Sequence, residues 1–264
     1  MGDDSTRDWF PEDGEARNPM KAAQEAMKPV LPRRFYRDAR VEARDGAFVL
    51  TLDGRPARTP GRQALALPTP ALGEAVAAEW QAQGDEVDPA TMPLTRLANS
   101  AIDGVAPNMT GVTDDLRKYA GSDLVCYRAG EPERLAAAQA AAWDPILAWA
   151  HGALGARFVL SEGVTFVAQP EAALDAIRAN LSRVSCPFAL AALHVMTTLT
   201  GSVLIALAHA VGALSAEDAW AAAHVDERFQ ESMWGEDEEA LRRRASRRDE
   251  FLAASRLYAL AARP

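Results

Sequence analysis

The sequence predicts an α+β fold in two parts, a small antiparallel β-rich N-terminal domain followed by a larger, mainly α-helical domain. Two Asp-Gly pairs flank an alternating strand near residues 45–54, and from about residue 70 apolar residues recur at helical spacing. A long apolar stretch then lies between residues 184 and 216. We divide the chain into a flexible acidic tail (residues 1–28), a β-rich domain (29–95) and a helical domain (96–264).

Composition excludes several classes of protein. The 264 residues carry a formal net charge of −9, whereas nucleic-acid binders normally present a basic surface. Only two cysteines are present, so neither a disulfide framework nor a four-cysteine zinc site can form. The first 20 residues are acidic and lack both the apolar core of a secretory signal and the arginine-rich character of a transit peptide.

The β-rich domain is predicted from its turns. Asp45-Gly46 and Asp53-Gly54 supply the positive φ angles that tight hairpin turns require, and the residues between them alternate in polarity. A further strand is predicted over Gln63–Leu67. The result is a small antiparallel meander.

The helical domain follows a helix predicted around Leu72–Trp80. Helical patterns resume near Leu94, and a long helix is expected from Pro132 with a kink at Pro145. A second small hairpin is predicted from residues 157–160 and 164–167, and from Pro170 onward the pattern is helical. Ser215 followed by Asp218 indicates a helix start.

The apolar stretch from Val184 to Ala216 contains no Asp, Glu, Lys or Arg, and its length would allow a membrane span. It nevertheless carries two histidines and several hydroxyl residues, and alanine contributes little transfer free energy. We therefore predict the central buried helix of a soluble protein, without stable membrane insertion.

Familiar catalytic motifs are absent from the sequence. It has no phosphate-binding glycine loop, no nucleophile elbow and no His-Glu-x-x-His pair. Cys186 precedes Pro187 at the start of the apolar stretch and is interpreted as a buried structural thiol. Four tryptophans within apolar helical patterns are assigned to the core: Trp80, Trp143, Trp149 and Trp220.

Two polar groups have both a functional and a structural interpretation. His224, Glu227 and Glu231 have a spacing that would place them near one helical face, as in a metal-dependent enzyme, although a solvated polar face is the simpler alternative. Thr95, Arg96, Asn99 and Asp103 could form a catalytic set, but we predict a hydrogen-bonded seam that joins the β part to the helices.

An acidic segment, Glu236–Glu239, precedes the arginine-rich run that begins at Arg242. Its structural interpretation is a helix with acids at the N-terminus and i,i+4 pairs joining Glu238 to Arg242 and Glu239 to Arg243. Its functional interpretation is a partner-binding surface, because Trp234 shares a face with two glutamates and leads into the acidic segment.

Ordered blocks along the chain resemble a known family. The blocks are LDGRPARTP, LALPT, AAEW, DPATMPLTRLANSAID, YAGSDLVCYRA, QAAAWDPILAW, GSVLIALA and DERFQESMWGEDEEA. In this order they resemble the assembly chaperones of the F-type ATP synthase that act on its alpha subunit. The resemblance covers about residues 33–250 and leaves the acidic tail out.

The resemblance implies a non-enzymatic chaperone that holds the newly made alpha subunit until the beta subunit replaces it, without a cofactor. It implies a β-rich domain before a helical one, and a functional acidic region that corresponds here to Asp226, Glu227, Glu231, Glu236, Asp237 and Glu239. With Trp234 these residues form the predicted partner-binding set. We expect a protein that is monomeric when free, in the bacterial cytoplasm, or in the mitochondrial matrix if the source is eukaryotic.

Overall fold

The computed structural model describes residues 30–163, 165–235 and 237–261. Within these ranges a small antiparallel sheet comes first and helices follow, which confirms the predicted α+β class. The predicted tail, residues 1–28, lies outside the described residues.

The sheet is built around one central strand. Strand β1 (Ala39–Arg44) pairs antiparallel with β2 (Ala47–Leu52), and β3 (Arg55–Pro56) and β4 (Ala66–Leu67) pair with the opposite edge of β2. Asp45 and Gly46 have φ angles of 51° and 80°, as the predicted hairpin turn requires. The strand predicted over Gln63–Leu67 is reduced to β4, because Ala64 makes only an isolated bridge to Arg58.

Helix α1 (Pro70–Gln81) packs its buried Leu72 and Val76 against the sheet, and the Thr69 hydroxyl caps its N-terminus. A π-helical turn covers Ala101–Val105. The remaining helices are α2 (Pro93–Ser100), α3 (Met109–Gly121), α4 (Glu133–Leu154), α5 (Glu171–Leu181), α6 (Pro187–Thr200), α7 (Val203–Ala210), α8 (Ala216–Ala223), α9 (Val225–Trp234) and α10 (Glu238–Ala261). The long helix expected from Pro132 is α4, which contains Pro145, and the kink at that proline stays a prediction.

The apolar stretch forms two buried helices, so the prediction of one central helix is wrong. Gly201, at φ 69°, ends α6 in the left-handed conformation that favours glycine, and the Ser202 hydroxyl caps α7 by accepting the Ile205 N–H at 3.0 Å. The predicted burial is confirmed, since most side chains of both helices are enclosed. Within the described ranges no helix is both long and apolar enough to cross a membrane.

The predicted second hairpin does not form in the part of residues 157–167 that the structure describes. The Gln169 side chain takes both the N–H and the C=O of Val159, at 2.8 and 2.9 Å, and thereby occupies groups that a hairpin partner would need. Strand β6 (Ser161–Glu162) instead pairs parallel with the distant β5 (Tyr127–Arg128).

Two apolar clusters form the core. One lies within the helical part, and Trp143 and Trp220 are buried in it as predicted, whereas Trp80 and Trp149 are only half-buried. The other fills the space under the sheet and includes Phe188 of α6. Helices from the C-terminal part thus complete the core of the β-rich part, and the boundary between residues 95 and 96 stays a prediction.

Candidate functional site

The predicted partner-binding residues lie on α9, on α10 and on the short link between them. Helix α9 ends at Trp234, and Gly235, at φ 85°, turns the chain toward α10. The Asp237 carboxylate accepts the Glu239 N–H at 3.0 Å and so caps the start of α10. We call this region, residues 226–239, the acidic-aromatic surface. Glu236 lies outside the described residues.

The most exposed aromatic side chain of the described residues is on this surface. Trp234 is 88% exposed and its neighbour Met233 is 56% exposed. Burial of an indole stabilises a protein or a complex, and an exposed indole makes no such contribution. Exposed apolar groups surrounded by polar residues mark interaction sites. Trp234 is therefore the centre of the candidate site.

The carboxylates near Trp234 differ in how far they are engaged by the fold. Asp226 accepts a 2.7 Å hydrogen bond from the side-chain amide of buried Gln139 on α4, whereas Glu227 is exposed on the next position of α9. Glu239 lies 3.9 Å from Arg243, and Glu238 lies 2.6 Å from Arg242, as the predicted i,i+4 pairs require. Because these pairs are themselves exposed, the accessible carboxylates of the described residues here include Glu227, Asp237 and Glu239.

Glu231 has a different role from its neighbours. It forms a half-buried ion pair with Arg244, whose guanidinium also donates a 2.9 Å hydrogen bond to the Glu231 carboxylate. The pair joins the last turn of α9 to α10. It thereby holds Trp234 and Asp237 at the same end of the helix pair.

The alternative of a metal-binding face formed by His224, Glu227 and Glu231 is not supported by the structure. His224 sits at the break between α8 and α9, where its ring stacks on Trp220 at 3.9 Å and its Nδ1 lies 2.9 Å from the Trp220 carbonyl oxygen. Burial lowers the pKa of His224, and Glu231 is already bound by Arg244. Among the residues that the structure describes, no cluster of three or more His, Cys, Asp or Glu side chains could hold a metal ion.

The predicted seam between the β-rich part and the helices is confirmed for Asp103, whereas Thr95 bonds to α1, within the range predicted for the β-rich domain. The Glu79 carboxylate on α1 accepts hydrogen bonds from the Thr95 N–H and hydroxyl, at 2.8 and 2.7 Å, and from the Leu94 N–H at 2.7 Å. Asp103 accepts the Thr59 hydroxyl at 2.7 Å. The remaining two members differ, since Arg96 reaches α10 through Glu250, at 3.5 Å, and the Asn99 Oδ1 is buried without a partner in the described part of the chain.

Neither cysteine is placed as a nucleophile. Cys126 is fully buried, and burial raises the pKa of its thiol to about 12, so the reactive thiolate is disfavoured. Cys186 is a free thiol at the N-terminal cap of α6, half-buried rather than buried as predicted.

Comparison with known proteins identifies the family. The family model described as ATP12 chaperone protein matches residues 33–151. The crystal structure of Atp12 from Paracoccus denitrificans is 43% identical, with 87% of this chain and 98% of that chain covered and a TM-score of 0.83. A chain from Agrobacterium tumefaciens described as a candidate chaperone is 47% identical over 92% of this chain and 91% of that one, with a TM-score of 0.85.

Proposed function

The chain belongs to the ATP12 chaperone family of ATP synthase assembly factors, and from this premise we propose that it binds the unassembled alpha subunit and prevents its aggregation until the beta subunit replaces it. It acts as a monomer, without catalysis and without ATP. Its site of action is the bacterial cytoplasm, or the mitochondrial matrix in a eukaryote.

The observation that carries the proposal is the exposed Trp234 at the centre of the acidic-aromatic surface. Tryptophan is enriched among the residues that dominate binding free energy at protein interfaces. The carboxylates around it would give the surface a negative rim, suited to a partner with basic residues around an apolar pocket. Of the predicted contact residues we assign direct contact to Glu227, Trp234, Asp237 and Glu239.

We assign Asp226 and Glu231 to positioning rather than direct contact. The Asp226 carboxylate is engaged by Gln139, and the Glu231 carboxylate is engaged by Arg244. Both side chains hold α9 in place and thereby orient Trp234.

The need for such a chaperone follows from the size of subunit interfaces. Obligate interfaces bury about 2,000 Å² or more and are more apolar than ordinary surface, so an isolated alpha subunit exposes a surface prone to aggregation. A chaperone that covers part of it must later be released. If the beta subunit competes for the same surface, moderate affinity and a partly polar contact suffice, and hydrolysis of ATP is unnecessary.

A refolding experiment tests this proposal. Denatured alpha subunit is diluted into buffer without nucleotide, alone or with an equimolar amount of the chain, and light scattering is followed. We expect the chain to suppress scattering. Added beta subunit should then release the alpha subunit from its complex with the chain. Unchanged scattering, or suppression that depends on ATP, would contradict the proposal.

A further inference from the structure

The outer edge of β1 carries backbone groups that face away from the sheet. The N–H and C=O of Leu50 bond to Leu65 and Ala57, on the side of β2 away from β1. Val41 lies opposite Leu50, so this is a pair without β1–β2 hydrogen bonds, and the backbone groups of Val41 point outward. Because the direction alternates along a strand, those of Ala43 point outward as well. Within the described ranges, no group bonds to them.

One end of this edge is covered by a side chain that imitates a strand. The Gln81 amide on α1 accepts the outward Ala39 N–H at 2.9 Å and donates to the Arg37 carbonyl at 3.3 Å. A side-chain amide thus satisfies the edge where α1 comes close to it. The outward backbone groups of Val41 and Ala43 have the same geometry, and the backbone of another segment could form hydrogen bonds with them.

A groove of 420 Å³ lies beside this edge, between β1 and α1. Its α1 wall carries the small side chains of Ala77 and Ala78. The two elements are close because Gly73 faces Val41, where a Cβ would lie 2.9 Å from Val41 Cγ1. An added strand would therefore meet hydrogen-bonding groups on one side and a shallow apolar wall on the other. We call this site the β1 groove.

We propose that the β1 groove binds an extended segment of the client alpha subunit by adding it as a strand to β1. Only an extended backbone matches the outward groups of Val41 and Ala43. The alanine wall admits apolar side chains at alternate positions of the segment. This inference rests on the proposed function and adds a second contact region to it.

The charges at the groove favour a basic segment. Arg40 is paired with Asp38 at 2.5 Å, and Arg44 is paired with Glu42 at 2.5 Å. Glu74, which lines the groove from α1, forms no ion pair with any described residue. Its carboxylate is positioned to attract a lysine or arginine of the client, in agreement with the acidic character of the whole chain.

Two variants of the full chain test the groove. Ala43→Pro removes the outward N–H of an exposed edge position, which a proline can occupy without breaking the ladder to β2. Ala43→Ser is its matched control, because it keeps the N–H. Ala78→Trp fills the groove from α1 and leaves β1 unchanged. Thermal unfolding shows whether each variant is folded.

We expect Ala43→Pro and Ala78→Trp each to weaken the affinity for the alpha subunit about tenfold, as the loss of one or two backbone hydrogen bonds would. Ala43→Ser should change the affinity less than about twofold. Hydrogen exchange measured by mass spectrometry should show β1 amides that exchange rapidly in the free chain and slowly in the complex. If the wild type binds the alpha subunit while both folded variants bind as tightly and β1 stays unprotected, the groove inference fails and the proposed function stands.

Three other results would overturn the inference. A wild type that does not bind the alpha subunit removes the proposed function and this occupant together. Protection of β1 that rises with the concentration of the free chain would assign the groove to a second copy of the chain. Concentration-independent protection that disappears when residues 1–29 are deleted would assign it to the chain's own N-terminal segment.

Discussion

The carboxylate of Glu231 on α9 is bound by the guanidinium of Arg244 on α10. Both side chains are about four-fifths enclosed, with exposures of 22% and 19%, so the pair is less screened than a surface ion pair. The pair holds the C-terminal end of α9, where Trp234 is exposed, against α10. On the proposed function, stability and alpha-subunit binding would therefore be coupled at this ion pair.

Charge reversal at Glu231 should destabilise the fold. Glu231→Lys places two cations together in a partly enclosed site, and we expect the free energy of unfolding to fall by about 2 kcal/mol. Glu227→Lys makes the same charge change at an exposed position of the same helix and should cost less than about 0.5 kcal/mol. Urea unfolding measures both. Equal effects would show that the ion pair contributes nothing to stability.

The Glu79 carboxylate should be a major stabilising group of the contact between α1 and α2. It accepts three hydrogen bonds at the N-terminus of α2, where Met92 provides no side-chain cap. We expect Glu79→Ala to lower the free energy of unfolding by about 2–3 kcal/mol. Glu74→Ala, at an exposed position of the same helix, is the matched control and should cost less than about 0.5 kcal/mol. A loss at Glu79 no larger than the control's would contradict the assigned role.

Asp123 should make stability depend on pH. Its carboxylate is fully buried where it accepts the Leu204 N–H at the start of α7, and desolvation raises its pKa from 3.8 to about 6. The folded state therefore holds the Asp123 proton more tightly than the unfolded state does. Its contribution to stability is fully present below about pH 4 and is lost as the pH rises through about 6.

A comparison with Asp123→Asn isolates this dependence, because asparagine does not titrate. The difference in unfolding free energy between wild type and variant should fall by on the order of 2–3 kcal/mol from pH 4 to pH 7. Denaturant titrations at several pH values measure it. A difference that stays constant, or rises with pH, would contradict the raised pKa.

Electrostatic attraction at the acidic-aromatic surface should appear as a salt-dependent affinity. Glu227→Lys should weaken alpha-subunit binding about fivefold at low salt, with a smaller loss at high salt, because screening reduces the attraction it removes. Glu217→Lys on α8 makes the same change in net charge at an exposed residue outside this surface. Equal losses for the two variants would mean that only net charge matters and would remove Glu227 from the interface.

Local chemistry made part of the fold predictable. The turn at Asp45-Gly46 and the helix cap at Ser215 depend on residues close together in sequence, and both form as predicted. The break at Gly201-Ser202 also has a local signal, a glycine suited to end a helix followed by a serine suited to begin one. The residues on both sides of Gly201-Ser202 are equally apolar, so hydropathy gives no sign that two helices meet there.

Relationships between distant segments could not be predicted in the same way. Glu79 contacts Thr95 only after α1 and α2 have packed, and Gln169 replaces a hairpin partner through its side chain. At the candidate site Trp234 could be identified from the sequence. Sequence spacing indicates only i,i+4 partners for the arginines, whereas Arg244 pairs with Glu231 on another helix. The outward groups of β1 depend on strand register and had no signature in composition.

The most direct test of the account is the affinity of the alpha subunit for Trp234→Ala, measured by isothermal titration calorimetry beside the wild type. Phe166→Ala, which removes another exposed aromatic ring (69% exposed) from a loop outside the acidic-aromatic surface, is the matched control. Because Trp234 is exposed in the free chain, its loss should leave the thermal unfolding temperature unchanged. We predict that Trp234→Ala weakens binding at least about tenfold, as truncation at an interface hot spot does, and that Phe166→Ala weakens it less than about twofold. Wild-type affinity in a folded Trp234→Ala variant would contradict the assignment of the acidic-aromatic surface as the site that holds the alpha subunit.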